Sequence, residues 1–150
     1  MKTRKPNSLT GKISLAFLVI ILAISSDSCS KSIPFLTSSV APAARGDVKV
    51  TRDRNENYNI DIQLYNLSEV ERLEGTPATY IAWMETEQGN ITNIGQLKSS
   101  SGLMSRTLKA SLKTVSTAMP TRVFVTAEDN ANAKYPGNID IISTGTNRKY

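Results

Sequence analysis

Thr79 to Leu97 reads TYIAWMETEQGNITNIGQL, and this stretch decides the fold class. It places the chain's one tryptophan, Trp83, in an apolar β-type run from Thr79 to Glu85. A turn follows around Glu87-Gln88-Gly89, then a second run from Asn90 to Lys98. Two such runs around a glycine-containing turn signal a β-hairpin. A loop of Gln88 to Asn90 sets Trp83 opposite Gly95 and Ile81 opposite Leu97. A shift of one residue sets Ile94 opposite Trp83 instead and exchanges every other partner. Trp83 is expected to face a core or cover a sheet; the alternative is an exposed ligand platform.

Val48 and Val50 alternate with polar neighbours. Tyr58, Ile60, Ile62 and Leu64 alternate with Asn59, Asp61 and Gln63 after the turn cluster Asp53 to Asn57. This period of two belongs to strands with one face in water. Ser68 to Gly75 carries an S-x-x-E capping box closed by glycine, which predicts one or two helical turns. The charges there, Glu69, Glu71, Arg72 and Glu74, read as a solvated face. Ser99 to Gly102 reads as a loop. Leu108, Ala110 and Leu112 alternate as a fifth strand, although Leu108, Leu112 and Val115 also suit a helix. Thr121 to Glu128 is a β-branched sixth strand, and Ile139 to Ser143 a seventh after a polar loop. Seven short strands separated by turns predict an all-β domain, a seven-stranded antiparallel β-sandwich of immunoglobulin-like type over residues 46–150.

The front of the chain has another character. Lys2, Arg4, Lys5 and Lys12 precede an apolar run from Ile13 to Ile24, and Ser25-Ser26-Asp27-Ser28-Cys29 follows. The run is too short for a spanning helix and suits the apolar region of a signal peptide; an uncleaved anchor or a buried helix is the alternative. A basic start, an apolar run, small residues and the only cysteine resemble a bacterial lipoprotein signal, residues 1–28, in which Cys29 becomes the lipidated first residue of the mature protein. Ser26 stands where that pattern usually has an aliphatic residue, and Ser26 with Ser28 also suits ordinary cleavage and soluble secretion. Residues 29–45, rich in Ser, Pro and Ala, read as a tether, with Ile33, Phe35 and Leu36 able to add a short strand.

Composition narrows the chemistry. The 150 residues contain no histidine and one cysteine, which removes His-based proton transfer, Ser-His-Asp and Cys-His triads, Cys/His zinc sites and internal disulfides. The formal charge is +5, but removing residues 1–28 leaves +2, so no nucleic-acid partner is expected. Glu128, Asp129, Asn130 and Asn132 form the best cation candidate, yet Ala133 and Ile139 stand where an EF-hand needs Gly and Glu, and a polar turn is the expected role. Asp61, Glu85 and Asp140 could only serve a carboxylate-pair mechanism if two of them met in a cleft. Asn66-Leu67-Ser68 and Asn90-Ile91-Thr92 match the N-glycosylation pattern, which matters only in a eukaryotic secretory pathway.

Tyr80-Ile81-Ala82-Trp83-Met84, then Ile94-Gly95-Gln96-Leu97, then Val123-Phe124-Val125-Thr126-Ala127-Glu128 with Pro136-Gly137 beyond, resemble the extracytoplasmic C-terminal domain of anti-sigma-K factors. The resemblance covers residues 58–145 and implies a β-sandwich outside the cytoplasm. Only twelve residues precede the apolar run, so the sigma-binding domain of that family is not expected here. The chain is also similar to small lipoproteins of Bacteroidota. The expected protein is therefore a bacterial cell-envelope protein held at the outer membrane or periplasmic face by lipid on Cys29, with secretion in soluble form as the alternative. It is expected to act as a binding or structural module, not an enzyme, without metal or cofactor, and with a possible envelope protein partner. The alternative role is a sensor-like domain signalling through a partner membrane protein.

Overall fold

A computed structural model describes residues 31–67, 78–101 and 108–146. The expected signal segment, Cys29 and the expected helical turns at 68–75 lie outside these residues, as do the last four positions. Among the described residues no helix is long and apolar enough to cross a membrane. They form β1 (Lys31–Pro34), β2 (Arg45–Arg52), β3 (Tyr58–Tyr65), β4 (Thr79–Thr86), β5 (Ile91–Gln96), β6 (Lys98–Ser101), β7 (Leu108–Ser116), β8 (Pro120–Glu128) and β9 (Ile142–Ser143). The chain is all-β. Its strands lie in two antiparallel sheets, one in the order β1-β2-β3-β7-β6 and the other in the order β5-β4-β8-β9.

The nine described strands replace the seven expected. One addition is β1, and it corrects the tether reading of residues 29–45. Ile33 pairs with Val48 across the β1–β2 ladder, and Ile33, Phe35, Ala41 and Ala44 are buried in the main core. Alternating Ile33 and Phe35 bury one face, and that outweighs the Ser/Pro/Ala composition around them. The domain thus begins before Gly46. The other addition is β6, which includes three serines of the expected Ser99–Gly102 loop. The expected single strand from Asn90 to Lys98 divides at Leu97, whose amide still bonds Tyr80 O in one sheet at 3.0 Å. Lys98 already pairs with Ser111 in the other sheet. Residues 108–116 are the strand β7, not a helix, and the last strand is shorter than expected, with Ile139 left exposed.

Two corners therefore join the sheets. Residues 91–101 run from β4 to β7, and residues 31–36 run from β2 to β9, where Phe35 bridges Thr144 and Leu36 N donates to Ser143 O at 2.8 Å. Such crossings shorten the free sheet edges that would otherwise invite pairing with other chains. Between the sheets lie Val48, Ile60, Ile62, Leu64, Tyr80, Ala82, Val123, Val125 and Ile142, all buried. Each large aliphatic side chain there contributes about 1.5–3 kcal/mol by leaving water.

The β4–β5 hairpin closes with Gly89 N donating to Thr86 O at 2.9 Å and Thr86 N to Asn90 O at 3.1 Å, with Gly89 at φ +77°. This is a three-residue loop with its glycine in the left-handed position. Neither expected register holds. Trp83 pairs with Asn93 and Ala82 with Gly95, because a bulge between Ala82 and Trp83 inserts Ile94 as an extra residue. The bulge and Gly95 at φ +135° bend the strand just before it changes sheets, which is what an inserted residue does to a ladder.

Candidate functional site

The two sheets differ on their outer faces. On the four-stranded sheet, β4 has six successive buried residues, Thr79 to Met84. Its inward side chains Tyr80, Ala82 and Met84 join the main core. The outward Ile81 and Trp83 form a second small core with Phe124 of β8, closed by Ala131 and Ala133 of the loop between β8 and β9. Trp83 is fully buried and stacks on Phe124, with ring centroids 6.5 Å apart and planes inclined by 17°. It therefore covers the outside of a sheet, beneath a loop.

A chain of hydrogen bonds holds that loop. Trp83 Nε1 donates to Thr126 Oγ1 at 2.8 Å, Thr126 Oγ1 donates to Glu128 Oε1, and the same carboxyl oxygen accepts Gly137 N at 2.7 Å. Asn93, opposite Trp83, donates through Nδ2 to the carbonyls of Ala131 at 3.1 Å and Ala133 at 3.0 Å. Hydrogen bonds engage three of the four residues of the cation candidate. The Glu128 carboxylate is committed to the loop, and Asn130 Oδ1 accepts the backbone N–H of Asn132 at 2.9 Å, an Asx turn. Among the described residues no three Asp, Glu, His or Cys side chains gather as metal ligands.

Replacing Thr126 by Val keeps the shape and removes the acceptor, leaving a buried indole N–H without a partner. The expected cost is about 1–3 kcal/mol, read from the urea midpoint. A loss below a few tenths would mean that the indole finds another acceptor.

Of the three strand carboxylates, the structure brings two together. Arg122, next to Phe124 along the outward face of β8, binds Asp140 through Nη2 and approaches Glu85 Oε2 at 3.7 Å. Its guanidinium also lies 4.6 Å from the Phe124 ring centroid. Glu85 and Asp140 are thus both partnered by the one guanidinium of Arg122. A shallow groove of about 430 Å³ opens beside them, lined by Glu85, Thr86, Glu87, Gly89, Thr121 and Thr146. Sequence reading missed Arg122 and Thr126 as organising residues. The alternation of β8, which puts Arg122, Phe124, Thr126 and Glu128 on one face, was the available signal.

Asp61 lies on the outer face of the five-stranded sheet, in the cross-strand row Lys49–Asp61–Lys113. Lys113 Nζ is 3.2 Å from Asp61 Oδ2, while Oδ1 is buried without a hydrogen-bond partner among the described residues. A second shallow groove of about 380 Å³ follows this row. The outward side chains Lys49, Gln63, Tyr65, Lys109 and Lys113 are exposed. Lys109 reaches over the Tyr65 ring, 5.7 Å from its centroid. Arg45, also at this face, turns its guanidinium to the carbonyls of Pro42 and Ala44, both at 2.6 Å. Of the two glycosylation patterns, Asn66 stands in the left-handed region at φ +57° and Asn90 is exposed in the β4–β5 turn. Compared with protein-family models, with curated proteins and with solved structures, the chain matches none.

Proposed function

We propose that this chain is an exported bacterial envelope protein, anchored by lipid on Cys29, whose sandwich is a non-catalytic binding or structural module. The observation that carries the reading is the commitment of its carboxylates. Glu85 and Asp140 are held on Arg122, Glu128 on Thr126 and Gly137, and Asp61 on Lys113. Groups held in this way stabilise loops and strand faces, and acid–base chemistry would need at least one of them released toward a substrate.

Within the same reading, the sandwich is immunoglobulin-like. The order β2-β3-β7-β6 corresponds to strands A, B, E and D of that arrangement, and β4-β8-β9 to C, F and G, with β5 added beside C. Two features are this chain's own: β1 lies outside β2, and the tryptophan on β4 faces the covering loop.

The test of the anchor is fractionation of cells expressing the wild type beside Cys29→Ala, with fatty-acid labelling. The wild type is expected in the membrane fraction and labelled, and the variant without label. Two proteins equally membrane-bound and equally unlabelled would overturn the lipoprotein reading.

A further inference from the structure

The two outer faces carry opposite charge. Glu85, Glu128, Asp129 and Asp140 on the four-stranded sheet and its loop outnumber Arg122 and Lys134. The five-stranded sheet presents Lys49, Lys98, Lys109 and Lys113 against Asp47 and Asp61, beside Arg45, whose guanidinium bonds the carbonyls of Pro42 and Ala44. From strand geometry, Lys49 and Lys113 stand about 10 Å apart across β3, and Lys109 and Lys113 about 13 Å apart along β7. This surface is basic and mostly polar, with a shallow groove along the Lys49–Asp61–Lys113 row.

The place where the chain enters gives that surface its occupant. β1 begins at Lys31, in the five-stranded sheet, two residues after Cys29. Two residues span at most about 7 Å. Ser32, the next residue of β1, pairs with Lys49 and so heads the row Lys49–Asp61–Lys113. On the reading that Cys29 is acylated, on which this inference rests, the short connection keeps the Ser32 end of that row close to the headgroup layer.

We infer that the domain lies on its membrane with the outer face of the five-stranded sheet against anionic lipid headgroups. The acidic face and the loop over Trp83 then point away, where a partner can reach them. Each lysine near an anionic leaflet adds about fivefold in affinity. Four partly neutralised lysines would bind only weakly alone; on an anchored protein they set orientation.

The experiment uses the mature protein purified from membranes, its Cys29 acylation read from intact mass. It is reconstituted into vesicles with about 30% anionic phospholipid or with zwitterionic lipid alone, and lysines are labelled with a water-soluble amine reagent. Lys49, Lys109 and Lys113 are expected to label about threefold less on anionic vesicles and to recover in about 0.5 M salt. Lys134, on the opposite side, should label equally on both. The exposed-residue variant Lys49→Gln/Lys109→Gln/Lys113→Gln should return Lys98 to its labelling on neutral vesicles. An acylated protein whose face lysines label alike on both vesicle types overturns the orientation and leaves the anchor standing. So does protection that ignores charge and salt. Absence of the acyl mass overturns the anchor, and with it the proximity that brings this face to lipid.

Discussion

Trp83→Ala is expected to lower the unfolding free energy by about 3–5 kcal/mol, the usual cost of truncating a buried large aromatic. The side chain is fully buried and carries three attachments at once: stacking on Phe124, the indole bond to Thr126, and contact with the loop alanines. Removing it takes the floor from beneath the β8–β9 loop while leaving the main core between the sheets intact. The damage should therefore be partly local. Limited proteolysis at Lys134 should accelerate more than global unfolding does, since local opening draws on the less stable end of a fold. Circular dichroism in urea gives the global term, because the variant has no tryptophan left to fluoresce. Trp83→Phe keeps most of the ring and loses the N–H, so it should fall between the wild type and the alanine variant. A Trp83→Ala protein with an unchanged midpoint and unchanged cleavage would show that the loop does not rest on the indole.

Most of the strands were legible because they obey the period of one wet and one dry face. Tyr58 to Leu64 is the clearest case, and it folds as β3 with Ile60, Ile62 and Leu64 inward. β4 is the opposite case. Its six consecutive buried residues erase the alternation, since both faces are covered. Its apolar content told of a strand but not of what lies on each side. The cover of Trp83 comes from Ala131 and Ala133, and the partner of its N–H from Thr126, far along the chain. Short-range pattern holds no information about such distances. The register failed for a related reason: the bulge at Ile94 answers to the strand's passage between sheets at Leu97, a demand of the tertiary structure. Near the start of the domain, Ile33 and Phe35 stand two apart, the spacing of a strand with one buried face, and that spacing outweighs the Ser, Pro and Ala around them, as the short-strand alternative expects.

Charge shows the same limit. A net charge of +2 beyond residue 28 argues against an electrostatic footprint when taken as a total. Folding separates the signs. Lys49, Lys109 and Lys113 share one outer face, whereas Glu85, Glu128 and Asp140 share the other with its loop. At physiological ionic strength the screening length is about 8 Å, shorter than the thickness of two sheets packed about 10 Å apart. A surface therefore feels the face turned toward it more than the sum.

Gly46→Ala should be the most damaging small substitution in the described domain, costing at least about 3 kcal/mol, beyond the usual range for an added methyl group. A Cβ built on Gly46 would lie 2.0 Å from the backbone oxygen of Gln63 and 2.8 Å from Leu64 Cδ2. The side-chain carbon could turn away, but the carbonyl is fixed in the β2–β3 ladder, where Gly46 pairs with Leu64. Gly46 O also accepts the amide of Phe35 at 3.0 Å, so displacing β2 to relieve the clash strains the β1 side as well. Gly89 supplies the control. Its backbone, at φ +77°, disfavours any side chain, yet nothing lies within 4 Å of its would-be Cβ. Gly89→Ala should cost only the left-handed penalty of about 1–2 kcal/mol. Denaturant titration of the pair, with hydrogen exchange on the β2 and β3 amides, separates close approach from backbone conformation. Equal losses for the two variants would mean that β2 and β3 can part at Gly46 without loosening the sheet.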